Sequence, residues 1–99
     1  DLLPPQKQYF DVITADLSPS TSGVKEIDSY QSYELNIKTL EIASKYLRSG
    51  GFLLTKVFEG EEFNEFLEAT RKDFNKIKLI KPKATRSNSP EIYYLGRKK

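Results

Sequence analysis

Apolar residues fall along this chain in two rhythms. Tyr9–Ala15 (Y-F-D-V-I-T-A) is apolar and β-branched and stops at Asp16, while Phe52–Phe58 (F-L-L-T-K-V-F) is bounded by Gly50-Gly51 and Gly60. Short apolar runs between breakers predict buried strands. Between them, Tyr33, Ile37, Leu40, Ala43 and Leu47 recur at helical spacing, flanked by Ile42 and Tyr46. That stripe predicts a helix over Tyr30–Arg48, with Asp28 or Ser29 as its cap and Gly50-Gly51 as its stop. Phe63, Phe66, Leu67, Thr70 and Phe74 form a second stripe behind Glu61-Glu62, whose charges suit a helix N-terminus. Lys76–Lys81 and Ile92–Gly96 are the third and fourth strand candidates. Asp1–Gln8, Leu17–Gly23 and Pro82–Pro90 are polar or rich in Pro, Ser and Gly, and read as loops.

The order strand, helix, strand, helix, strand, strand predicts an α/β fold built on parallel βαβ units. The short Pro-containing loop before the last strand lets that strand run antiparallel beside its neighbour. No internal repeat interrupts this order, and 99 residues make one domain at most.

Composition narrows the chemistry. With 37% apolar and 30% charged residues and no apolar run of membrane-spanning length, a soluble, cytoplasmic protein with no membrane partner is expected. The absence of Cys and His excludes disulfides and any Ser-His or Cys-His nucleophile within this chain, and argues against a metal site. The first residue is Asp1, as expected of a fragment or a processed chain.

Charge is unevenly spread. Residues 1–70 hold six Lys/Arg against twelve Asp/Glu, and residues 71–99 hold ten against two. A basic third on an acidic remainder suggests one face for a polyanion. A solvated basic tail is the alternative, although Lys76, Lys78, Lys81, Lys83 and Arg86 are not terminal.

In an open parallel sheet, ligands gather beyond the carboxyl ends of the strands. Asp16 and Lys56 both stand at such ends, on strands joined by one crossover helix. If the last strand is antiparallel, its first residues, led by Glu91, face the same edge. Lys56 is a cation in an apolar run, where burial is unfavourable without a partner or a task. It either snorkels out of the strand end or belongs to a tuned acid–base cluster with the two carboxylates.

Three segments carry a resemblance: D-L-S-P-S-T-S-G (16–23), T-K-V-F-E-G-E-E-F (55–63) and K-P-K-A-T-R-S-N-S-P-E-I-Y (81–93). In order and spacing they resemble the FtsJ/RrmJ family of S-adenosylmethionine-dependent RNA 2′-O-methyltransferases, from about Tyr9 to Arg97. The resemblance implies a Rossmann-like methyltransferase sheet with a final antiparallel strand and a Lys-Asp-Lys-Glu tetrad. Asp16 looks like the tetrad's Asp, beside the cofactor's methyl group; Lys56 looks like its second Lys, the base for the ribose hydroxyl; Glu91 looks like its Glu. Lys81, Lys83, Arg86 and Tyr93 are the expected RNA contacts, and no metal is expected. The TKVFEG and KPxATR forms resemble the ribosomal branch, implying large-subunit ribosomal RNA as substrate.

The chain departs from the family at Ser20, where Asn is usual, and at Pro90, where Arg is frequent. The family's Gly-rich cofactor loop, its acidic ribose-binding residue and its first tetrad Lys lie upstream of the segment resembled. The chain is therefore expected to be the carboxyl-terminal half of the Rossmann-like domain, inactive alone. A transfer-RNA or amino-group methyltransferase, a non-catalytic RNA-binding remnant and a purely structural half-domain are the alternatives.

Overall fold

A computed structural model describes residues 9–16, 23–81 and 91–99. Its elements are β1 (Phe10–Ala15), α1 (Lys25–Tyr46), β2 (Leu47–Phe58), α2 (Phe63–Thr70), β3 (Phe74–Ile80) and β4 (Glu91–Lys98). They build one mixed sheet in the order β1-β2-β4-β3. β1 and β2 run parallel with α1 as their crossover, and β4 lies antiparallel between β2 and β3. The α/β class and the antiparallel last strand match the sequence expectation.

Alternation along β2 divides the sheet into two unlike faces. Leu53, Val57, Ile92 and Tyr94 point to one side, where they join Leu40 and Ala43 of α1, Phe66 of α2, and Leu47 and Phe74 in a single core. Phe66 meets Tyr94 edge-on, with ring centroids 5.3 Å apart. The opposite side has no helix over it among the described residues: Val12, Phe52 and Ile80 stay 54%, 41% and 44% exposed.

The helix boundaries differ from those the sequence predicts. α1 begins at Lys25 behind Val24, which makes no side-chain cap bond. Asp28 and Ser29 are therefore not caps; both are buried in its early turns, and Ser29 Oγ donates to Glu62 Oε1 at 3.0 Å. Its other end is Tyr46, not Arg48. Leu47 is already extended (φ −83°, ψ 131°) and pairs with Phe10, while Tyr9 N donates to the Tyr46 carbonyl at 2.9 Å. Strand pairing, rather than a glycine cap, ends this helix.

Gly50 and Gly51 serve the sheet instead. The β1–β2 register jumps between Phe10↔Leu47 and Val12↔Phe52, and Gly50 takes a left-handed φ of 83° inside the jump. A Cβ on Gly51 would lie 2.7 Å from the Asp11 carbonyl oxygen, so β1 passes too close for a side chain there. α2 likewise ends at Thr70, leaving Phe74 to open β3 as a buried strand residue.

Candidate active site

β1 ends where Asp16 begins, and β2 carries Lys56 to the same rim of the sheet. Antiparallel pairing sets the first residue of β4, Glu91, opposite Phe58. The three groups thereby converge: Lys56 Nζ lies 2.7 Å from Asp16 Oδ1 and 3.4 Å from Glu91 Oε2. Lys56 is an even-numbered neighbour of core-facing Thr55 and Val57, so it projects to the uncovered face. Its side chain is 15% exposed, against 65% for Asp16 and 37% for Glu91.

The hydrogen bond to Asp16 raises the pKa of Lys56 above the ordinary lysine value, and the charge of Glu91 adds to this. Partial burial pulls the other way without overcoming them. By itself the trio thus holds a charged ammonium in a fixed place.

Tyr93 faces Lys56 across the β2–β4 register and, with Ala15, Asp16, Leu54 and Ile80, lines an open pocket next to the trio. Lys81, just beyond β3, reaches Glu59 Oε1 at 3.4 Å and so stands on the same rim. Lys83 and Arg86, like Ser20 and Pro90, lie outside the described residues. Among the described residues, no cluster of three or more His, Cys, Asp or Glu side chains is placed to hold a metal ion.

Behind the rim is a polar network that the sequence analysis missed. Parallel pairing ends at Ala15↔Thr55. Beyond it, side chains of α1 meet the β2 backbone: Asn36 Nδ2 donates to the Lys56 carbonyl at 3.1 Å, and Phe58 N donates to Ser32 Oγ at 3.2 Å. Thr55 Oγ1 donates to Asn36 Oδ1 at 2.5 Å. The signal was present: Ser29, Ser32, Asn36, Leu40, Ala43 and Leu47 share one helical stripe, polar in its first half.

Comparison with known proteins identifies the family. The family model for FtsJ-like methyltransferases matches residues 2–99. The chain belongs to the FtsJ-like methyltransferase family. It is 45% identical over 87 residues to the ribosomal RNA large subunit methyltransferase E of Syntrophobacter fumaroxidans, covering 88% of this chain and 44% of that protein. The protein of the same name from Ehrlichia ruminantium is 38% identical over 90 residues, covering 91% of this chain and 70% of that one. Among solved structures, one provisionally described as a ribosomal RNA methyltransferase, from Plasmodium falciparum, superposes with a TM-score of 0.79 at 24% identity. It covers 92% of this chain and 47% of that one, and shows a shared fold. The chain spans less than half the length of several curated FtsJ-like relatives it matches. FtsJ-like methyltransferases generally use S-adenosylmethionine. No helix among the described residues is long and apolar enough to cross a membrane.

Proposed function

We propose that this chain is the carboxyl-terminal half of an enzyme that methylates a ribose 2′-hydroxyl of RNA, large-subunit ribosomal RNA in particular. The observation that carries the proposal is the placement of Lys56 Nζ between Asp16 and Glu91 at the open rim. An amine fixed there by two carboxylates from distant parts of the sequence is suited to managing one proton at one hydroxyl. An amino-group methyltransferase would leave Lys56 and Glu91 without a task.

The site's chemistry fits the cofactor of the family. Asp16 presents a largely exposed carboxylate beside an apolar pocket, an environment that favours a sulfonium and its methyl group. When bound, S-adenosylmethionine supplies an electrophilic methyl group. Asp16 would hold that end of it, while its nucleotide portion would rest on the amino-terminal half. Among the described residues the apolar face is uncovered and β1 is an edge strand, which supports such a half extending the sheet across β1.

Lys56 Nζ would accept the proton of the ribose 2′-hydroxyl at this rim when that hydroxyl takes up the methyl group the cofactor supplies. To do so it must begin neutral, and Asp16 and Glu91 oppose that. A second cation beside the trio would lower its pKa; we assign that task to the first lysine of the tetrad, supplied by the amino-terminal half. Asp16 and Glu91 then orient Nζ, which matters because aligned reactants gain far more than loosely held ones. Tyr93, Lys81, Lys83 and Arg86 contact the RNA next to the reacting ribose. The reading places the protein in the cytoplasm with its ribosomal substrate.

The test is Lys56→Ala in the intact protein, with large-subunit ribosomal RNA as substrate and the 2′-O-methylated nucleotide quantified by mass spectrometry. Methyl transfer should be lost while RNA affinity stays within a few-fold. Undiminished transfer overturns the role of Lys56. An intact wild-type protein that binds RNA and transfers nothing is a binding remnant instead.

A further inference from the structure

The rim opposite Lys56 carries a second charged feature. There the start of β2 lies beside the end of β4 and the start of β3, and Ser49, Gly50, Asn75, Lys76, Arg97 and Lys98 surround a shallow depression. At 3.2–3.4 Å per strand residue, it stands roughly 20 Å from Lys56 along β2. It is therefore not part of the trio.

The depression is built rather than incidental. Ser49 Oγ donates to the Lys99 carbonyl at 2.6 Å, and Lys99 N donates to the Asp73 carbonyl at 2.8 Å, clamping the end of β4 to both neighbours. A point beside Gly50 where a Cβ would sit lies 3.3 Å from Arg48 Nη1 and 3.5 Å from Arg97 Nη2, so two guanidinium groups converge on it. A side chain at Gly50 would occupy the gap between them. Lys76 adopts a left-handed φ of 49° within the register shift between Asn75 and Lys78, an uncommon backbone for lysine.

Of the nearby carboxylates, one compensates Arg48 and neither forms an ion pair with Arg97, Lys76 or Lys98 among the described residues. Asp11 pairs with Arg48 at 2.5 Å, and Asp73 accepts from Ser44 Oγ at 3.1 Å. Lys76, Arg97 and Lys98 form no ion pair among the described residues. Cations gathered around one depression without ion-pair partners attract an anion.

We propose that Lys76, Arg97 and Lys98 form a second phosphate-binding site for the RNA, remote from the methylated ribose. This rests on the RNA-substrate reading above. The site grips backbone without reading sequence, and holds a part of the RNA away from the methylated ribose.

The test compares the intact wild-type protein with Lys76→Asn/Arg97→Gln/Lys98→Gln, using transcribed large-subunit ribosomal RNA. Dissociation constants are measured from 50 to 300 mM salt, with methyl transfer assayed in parallel. The triple variant should bind about tenfold or more weakly at 0.15 M salt, and its log–log salt slope should fall by about two to three. At saturating RNA its kcat should match wild type. A control, Lys38→Gln/Lys45→Gln on the exposed side of α1, should leave the slope unchanged. If the triple variant folds poorly, Lys98→Gln alone should lower the slope by about one. An unchanged slope in the variants, or an equal fall in the control, overturns the site. If the variants lower the slope but wild type methylates no ribose, the function proposed above fails and the phosphate site stands. If it methylates while the variants keep the wild-type slope, the converse holds.

Discussion

Thr55 donates its hydroxyl proton to the side-chain oxygen of Asn36 at 2.5 Å, immediately behind the strand residue that carries the ammonium of Lys56. Both residues are buried, and the amide of Asn36 also holds the Lys56 carbonyl. A buried polar group stripped of its partner costs about 1–3 kcal/mol, whereas removing both partners costs less than the sum. Thr55→Val and Asn36→Leu should each destabilise the intact protein by about 1–3 kcal/mol. The double variant should show coupling of about 0.5–3 kcal/mol in a denaturant-unfolding cycle. Strict additivity would mean the two side chains do not share a bond.

Glu91→Gln should move the pH dependence of methyl transfer. Glu91 is one of the groups raising the pKa of Lys56, through its charge at 3.4 Å. Removing that charge lowers the pKa, so more of the amine is neutral at any given pH below it. If Lys56 must be neutral to accept the proton, the rise of rate with pH should begin at lower pH in the variant. A pH–rate profile at saturating cofactor and RNA measures this. A shift toward higher pH contradicts the assignment.

The same ion pairs link stability to alkali. Lys56 has a folded-state pKa above its unfolded value of 10.5, so its contribution is fully present below about pH 10.5. It is lost as pH rises through the folded pKa. In this half alone, without the second cation assigned to the amino-terminal half, the stability gap between the chain and its Lys56→Met variant should therefore stay constant from pH 7 to about 10 and shrink above that, as followed by urea unfolding at each pH.

The elements were legible because their apolar rhythms are clean. Phe52–Phe58 alternates only mildly, yet its length and flanking glycines mark a strand, and Asp16, Lys56 and Glu91 sit where strand ends were expected. The position of β4 between β2 and β3 was not legible, since no local pattern says which neighbour an antiparallel strand chooses. The boundary of α1 was misread because Gly50-Gly51 resembles a helix stop; the actual stop is the pairing of Leu47 with Phe10, a long-range contact. Ser32 and Asn36 carried no signal of their own, since polar residues on a helix usually face solvent. Their burial follows from backbone groups on β2 that need partners where β1 ends, and this is visible only once the strands are paired.

Gly50 and Gly51 offer a separate test of how the β1–β2 jump is built. Gly51→Ala puts a methyl 2.7 Å from the Asp11 carbonyl oxygen, 2.9 Å from Leu47 Cδ1 and 3.0 Å from the Arg48 carbonyl oxygen. Two of these neighbours are backbone and cannot rotate away, so the strands must part. Overpacking of this kind costs about 1–3 kcal/mol. Gly50→Ala meets first only the guanidinium nitrogens of Arg48 and Arg97, which can move, but must hold φ at 83°, a left-handed conformation costing about 1–2 kcal/mol with a side chain. Both variants should lower the unfolding midpoint, and only Gly51→Ala should also accelerate amide exchange at Val12 and Ile13, whose ladder it forces open. Equal exchange in the two variants would show that β1 is not held by the close approach at Gly51.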